Sequence, residues 1–283
     1  MELSRIELLA KRSENLPIHE DVCRWGVELC YNRKATLEQF VTLFEQDVSL
    51  ASKLLRVVLT SPGRPAPPIT VRKAVEHMGL EGVRRTIFQL EAFRQAFESA
   101  DERVERRTVH YSKHSYAVAL IARQMATTRG DADPDELYAA GLFHDAGLLL
   151  LERYRPHMLD IISAKSEETG LALDAIERDE WGWDHYAISA VVAEERGMSR
   201  RTVSAIRSAG LPAIEQEFLI ETSIVSIADA LALKAGIHHH APWLSGVVDE
   251  LAADIVGLSE EESMELMKLA TQCVTGKYLN HAA

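Results

Sequence analysis

Residues 137–151 form an apolar run that carries one adjacent polar pair, His144-Asp145, between small and branched apolar residues (Gly141-Leu142-Phe143-His144-Asp145-Ala146-Gly147-Leu148). A run of this kind has to be buried. Two neighbouring polar side chains at the end of a buried apolar helix are costly unless something satisfies them. A divalent metal ion is one candidate, because neutral imidazole and carboxylate are both good ligands for borderline or hard cations. A purely structural hydrogen-bonded pair is the other. The chain around the run has to supply either the remaining ligands or the remaining partners.

Most of the other segments read as helices. Thr36-Leu37-Glu38-Gln39 is a capping-box pattern, and Phe40, Leu43 and Phe44 then line one face. Asp47 can cap the next helix, where Leu50, Leu54, Val57 and Val58 keep helical period. Residues 61–68 hold four of the nine prolines, so no helix crosses them, and they read as a surface loop. Helices are expected over 70–78 and 83–97 with Gly79 between them, then over 104–128. Asp133-Pro134 opens the helix that runs into His144-Asp145, and shorter helices follow over 148–154, 156–168 and 171–180. Asp184 can cap a helix beginning at His185, another runs from Ser199 towards Gly210, and a long apolar helix is expected over 215–235. Residues 245–283 read as two helices, the second with a capping box at Ser259–Glu262. No segment alternates as a strand would. The fold class is therefore all-α: a multi-helix bundle with an N-terminal helical subdomain (1–100), a helical core (101–240) and a C-terminal extension (241–283). The polar stretch Ser99-Ala100-Asp101-Glu102 marks the first boundary.

Two further residues sit where polar groups are unusual. His114 shares a helix face with Val118, Ile121, Ala122 and Met125, so it points into the core, and His110 lies one turn earlier on the same side. Asp229 falls mid-helix beside Val225, Ala232 and Leu233. A carboxylate there is rarely left unpaired. It is either a buried Asp paired with a His or Arg, or a ligand that meets His144 through a cation. His238-His239-His240 is expected in a loop closed by Pro242.

Composition narrows the function classes. The net charge is −12, which argues against a general nucleic-acid or anionic-membrane binder. Helix-glycine-helix over 70–97 is an ordinary hairpin rather than a DNA reader, since Glu76, Glu81 and Glu91 oppose phosphate contact. The three cysteines, Cys23, Cys30 and Cys273, lack metal-type spacing and read as small buried apolar residues in a reducing compartment. No apolar signal segment or bilayer-length run is present, so a cytoplasmic location without membrane insertion is expected. From Ala241 onward seven acidic residues stand against two basic ones, a solvated face or a partner-docking surface.

In order, His114, His144-Asp145 and Asp229 resemble the His … His-Asp … Asp pattern of the HD superfamily of metal-dependent phosphohydrolases. The N-terminal half adds Glu45-Gln46-Asp47-Val48-Ser49-Leu50 and Ala74-Val75-Glu76-His77-Met78-Gly79-Leu80; with Asp184-His185-Tyr186-Ala187-Ile188, the whole resembles an HDOD domain, the HD-related output domain of bacterial signalling proteins. The resemblance covers about residues 10–240. It implies an all-helical fold, a regulatory rather than catalytic role through a signalling protein partner or a small ligand, and a pocket in which His114, His144, Asp145 and Asp229, with His185 nearby, hold at most one divalent metal ion. The alternative is a mononuclear metal-dependent phosphohydrolase acting on a nucleotide or related phosphate ester. Catalytic relatives usually carry Lys where this chain has Leu148, and a leucine cannot stabilise charge on a phosphoryl oxygen. A His-His pair common in the family is Ser208-Ala209 here, and the Gly four residues after His185 is Ser189. A two-metal centre is therefore not expected, no catalytic residue is assigned, and the HD pocket is expected to be degenerate.

Overall fold

A computed structural model of the chain describes residues 2–67, 69–97 and 102–279. Among the described residues the chain is helical and contains no strand. The helices are α1 (Glu2–Ala10), α2 (Glu20–Tyr31), α3 (Leu37–Phe44), α4 (Val48–Leu59), α5 (Val71–Phe97), α6 (Glu102–Arg129), α7 (Pro134–Phe143), α8 (Ala146–Tyr154), α9 (Pro156–Thr169), α10 (Leu173–Trp181), α11 (His185–Glu195), α12 (Arg200–Arg207), α13 (Leu219–Lys234), α14 (Glu250–Val256) and α15 (Glu260–Leu279). The expected boundary at Ser99-Ala100-Asp101 and the last prolyl residue of the 61–68 loop lie outside the described residues.

Most ends are set by the caps that the sequence advertises. Thr36 and Gln39 form a reciprocal capping box on α3. Asp47 accepts from the Leu50 amide, Asp133 from the Asp135 and Glu136 amides, and Asp184 from the Ala187 amide. Gly79 interrupts α5 with a φ of 62°, a left-handed value that needs glycine. The expected start of the 215–235 helix moves to Leu219, because the Glu215 carboxylate accepts from the amides of Gln216, Glu217 and Phe218 and so organises a turn instead.

The centre of the fold is α6, which packs against α7, α8, α13 and α15. Contact between α6 and α7 is close enough that a Cβ on Gly141 would lie 2.8 Å from the Ala119 backbone. Polar links seat the N-terminal helices on this core. Asp47 also accepts from Ser112 on α6 at 2.8 Å. Arg123 on α6 grips Glu45 through two bonds of 3.0 and 2.6 Å, and the Tyr138 hydroxyl donates to the Glu45 carbonyl. Buried Arg196, at the end of α11, donates to Ser52 and Ser13. None of the three cysteines is in a disulfide; Cys23 is fully buried, and Cys30 and Cys273 are half-buried. No helix among the described residues is long and apolar enough to cross a membrane.

Candidate metal centre

Separate helices carry the candidate residues to one point. His114 comes from the inner face of α6, where Val118, Ile121, Ala122 and Met125 are all buried with it. His144 closes α7 and Asp145 opens α8, so the pair occupies the bend between them. Asp229 comes from α13 and His185 from the first position of α11. Two glycines permit the approach. Gly141 lets α7 lie on α6, and Gly147 sits beneath the His185 backbone, where a side chain has no room. Ser189 fills its place usefully: its hydroxyl accepts from the Gly147 amide at 2.8 Å and donates to the His185 carbonyl at 3.0 Å.

The two inner imidazoles are set in the same way. His144 donates from Nδ1 to the Gly141 carbonyl at 2.7 Å, and His114 donates from Nδ1 to the Ile237 carbonyl at 2.8 Å. Each therefore turns Nε2 inward, the arrangement in which a backbone carbonyl orients a metal-ligating histidine. His114 Nε2 lies 3.1 Å from Asp229 Oδ1 and 3.6 Å from Asp145 Oδ2. His144 Nε2 lies 3.3 Å from Asp145 Oδ1 and 3.9 Å from Asp229 Oδ1. The approaches are close but not directed as hydrogen bonds. His114 Nε2, His144 Nε2, Asp145 Oδ2 and Asp229 Oδ1 are all buried without a hydrogen-bond partner. Ligand atoms of His114, His144 and Asp145 lie within 4.8 Å of one another, and this group could hold a metal ion. Orphaned polar atoms packed this closely are costly to bury alone, and a cation held by His114, His144 and Asp145 would satisfy three of them, with Asp229 Oδ1 beside both imidazoles but outside that group.

His185 belongs to the same cluster but differs in role. Its Nδ1 donates to Glu177 Oε2 at 2.6 Å, its backbone amide donates to the same oxygen at 2.8 Å, and its Nε2 lies 3.3 Å from Asp145 Oδ1. Both ring nitrogens thus face carboxylates. Burial opposes its charging, yet Glu177 and Asp145 carry its pKa well above the ordinary imidazole value. Burial likewise opposes ionisation of Asp145, but His144 and His185 hold its pKa well below the usual carboxylate range. For His114 too burial disfavours charge, and the Asp229 and Asp145 carboxylates outweigh it and raise the pKa. Without a cation, the raised pKa values of His114 and His185 favour protons that offset the carboxylates; a metal ion would displace the one on His114.

Three residues around the centre carry no local sequence signal. Glu177, fully buried on α10, orients His185. The Tyr186 hydroxyl donates to Asp229 Oδ2 at 3.3 Å. His239 lies in the expected loop but is buried, with its ring edge-on to His114 at 5.1 Å between centroids. Its Nδ1 accepts from the His240 and Ala241 amides, and burial pushes its pKa well below the ordinary value. His110, expected on the inner side of α6, is exposed instead: in this turn Thr108, Tyr111 and Ser112 take the buried positions, and His110 lies beside the 236–242 loop.

Around the centre, Leu148 is fully buried, and Ser208 and Ala209 are buried without adding an imidazole. A cleft of about 580 Å³ opens beside Tyr186 and Asp229. Its charged lining is three carboxylates, Asp174, Asp229 and Asp249, and one guanidinium, Arg178, which is already bonded to Asp174 and Asp184.

Comparison with known proteins places the chain in a family. The HDOD domain matches residues 16–211, and the chain belongs to that family. Its fold is similar to that of the MmoQ response regulator from Methylococcus capsulatus, with a TM-score of 0.66 at 22% identity over 89% of this chain and 97% of that one. It is also similar to a virulence factor from Campylobacter jejuni, with a TM-score of 0.60 at 15% identity over 97% of this chain and 93% of the other. No curated protein matches the sequence.

Proposed function

We propose that this HDOD protein is a regulatory module whose HD centre holds one divalent metal ion without catalysing phosphate-ester hydrolysis, and that it acts through contacts with a signalling protein partner. His114, His144, Asp145 and Asp229 would hold the ion, and His185 positions Asp145. Two imidazoles and two carboxylates suit a borderline transition metal better than magnesium or calcium. Bound there, the ion would supply charge neutralisation and a cross-link between α6, the α7–α8 bend and α13.

The observation that carries the non-catalytic half is the charge of the adjacent cleft. A phosphate ester approaching Asp229 meets Asp174 and Asp249 as well, and the single guanidinium is spent on carboxylates. At Leu148 the chain has a buried alkyl group where catalytic relatives place a lysine. Among the described residues the cleft lining offers no cationic side chain other than the committed Arg178 to the growing negative charge of a phosphoryl transition state. The orphaned ligand atoms favour a second reading, a mononuclear phosphohydrolase. The deciding experiment is a survey of phosphomonoester and phosphodiester hydrolysis with manganese, iron or zinc added, comparing wild type with Asp145→Ala. No Asp145-dependent turnover is expected. Turnover that disappears in Asp145→Ala overturns the proposal in favour of the second reading.

A further inference from the structure

One face of the N-terminal helix carries an arginine at each end. Arg5, Leu8, Leu9 and Arg12 fall at i, i+3, i+4 and i+7, a stripe that runs down α1 and into the 3-10 turn of Lys11–Asn15. In the fold this stripe lines a cavity of about 280 Å³, together with Arg155 and Met158 at the start of α9 and Trp183 just ahead of α11. In a chain of net charge −12, the lining holds three guanidiniums and, among the described residues, no carboxylate.

The three charges are uncompensated. Arg12 lies over the Tyr154 ring, 4.8 Å from its centroid, and Arg155 donates from Nη1 to the Tyr154 carbonyl at 2.8 Å. Both partners are neutral, so they hold the two side chains in place and leave the charge untouched. Among the described residues none of the three guanidiniums has a carboxylate partner. Each carries five N–H donors, and most of these stay open. Arg155 stands at the N-cap of α9 without a side-chain cap, and the first turn of this 14-residue helix holds no acidic residue. The positive end of the helix therefore adds to the same field. Like charges gathered without a counter-charge repel one another, and an anion in the cavity relieves that repulsion.

Guanidinium forks match the oxygens of phosphate and carboxylate. Three of them favour a phosphoryl group, with three acceptor oxygens and up to two charges, over a carboxylate with two oxygens and one charge. Leu9, Met158 and Trp183 supply apolar wall, and Leu8, 56% exposed, is apolar surface that an occupant would cover. The volume lies just under the usual small-molecule range of about 300–1,000 Å³, which limits the occupant to a phosphoryl group on a short body.

We propose that the cavity between α1, the start of α9 and Trp183 binds a small organic phosphate, with Arg5, Arg12 and Arg155 on its phosphoryl group. The test is isothermal titration calorimetry of the full chain with phenylphosphonate, a non-hydrolysable phosphoryl head on one ring, in buffer containing EDTA so that no metal ion takes part. Wild type is expected to bind saturably with a Kd of about 1 mM or tighter. The Arg12→Gln/Arg155→Gln variant is expected to bind at least about tenfold more weakly. Circular dichroism checks that variant, and Arg155→Gln alone carries the comparison if the double variant does not fold. Absence of saturation by about 10 mM probe, or equal binding by the folded variant, overturns the site. Benzoate, with the same ring and a single charge, is expected to bind more weakly than phenylphosphonate, and benzoate that binds as tightly overturns the phosphate assignment. Asp145-dependent phosphatase activity would refute the non-catalytic reading of the HD centre and leave this result standing, because binding is measured without metal.

Discussion

Gly141→Ala sets two known effects against each other. Gly141 sits in the interior of α7, where replacing glycine by alanine favours the helix by about 1 kcal/mol. Helix propensity alone therefore predicts a more stable protein. The packing predicts the opposite. An added Cβ would lie 2.8 Å from both Cα and N of Ala119 and 2.9 Å from the Val118 carbonyl carbon. All three are backbone atoms of α6, so no side-chain rotation relieves the overlap. Reaching ordinary carbon–carbon separation requires α6 and α7 to part by roughly 1 Å. Overpacking of this sort costs about 1–3 kcal/mol, and rigid backbone on both sides favours the upper end. The net expectation is a loss of about 2 kcal/mol in urea unfolding. The same separation draws His114 on α6 away from His144, which follows α7, so metal affinity falls with stability. Gly82→Ala is the control: it too lies within a helix, but its new Cβ would meet only the Met78 side chain, at 3.1–3.2 Å. It is expected to be neutral or mildly stabilising. A Gly141→Ala protein as stable as wild type would refute the close α6–α7 packing on which the site depends.

Acid is expected to weaken the fold through His240. Its pKa is pushed down to about 3, by burial first and then by the Arg107 charge. Below about pH 6.5 the unfolded chain takes up a proton that the folded chain refuses, so stability falls as pH drops from there towards about 3, by at most about 1.4 kcal/mol per pH unit. His240→Asn should flatten that part of the stability–pH curve, and an unchanged slope in urea unfolding between pH 6 and pH 4 would sink the assignment. His185 works in the other direction: its raised pKa gives stability that is complete below about pH 6.5 and lost as pH rises through the folded value. Arg123→Lys should cost about 1–2 kcal/mol, because a lysine cannot reproduce the paired bonds to Glu45, the bond to Asp135 or the stacking on Tyr138. Chemical denaturation that separates the two proteins by less than about 0.3 kcal/mol would show the network to be idle.

How far the sequence reaches depends on the kind of information each element carries. Caps such as Thr36, Asp47 and Asp184 are local chemistry, and the corresponding helices begin where those residues stand. His114 was legible because a single histidine on an otherwise apolar face has one direction in which to point. The His144-Asp145 pair was legible because an apolar run makes its burial unavoidable. By contrast, Glu177 meets His185 only because the α10–α11 turn folds it back, and nothing within α10 distinguishes it from a surface glutamate. His239 reads as loop, and it is loop; that it is buried against His114 follows from where α13 ends. The shift of the α13 start to Leu219 had the same origin, a side chain, Glu215, competing with the helix for its own neighbours' amides. The expectation of a degenerate pocket rested on Leu148, Ser189 and Ser208-Ala209. Around His114, His144, Asp145 and Asp229 the geometry nonetheless leaves four inward-facing donor atoms unpartnered. The departures lie around that centre rather than in it: Leu148, Ser189, Ser208 and Ala209 are buried residues that add neither charge nor a further imidazole.

The most direct test is metal content by elemental mass spectrometry. The protein is purified without chelator and without an affinity tag, and wild type is compared with His144→Ala and Asp229→Asn. About one equivalent of a transition metal in wild type, lost from both variants while their circular dichroism stays helical, is the predicted result. Wild type that stays metal-free after incubation with manganese, iron or zinc, or variants that retain the metal, would contradict the convergence of these residues on one ion.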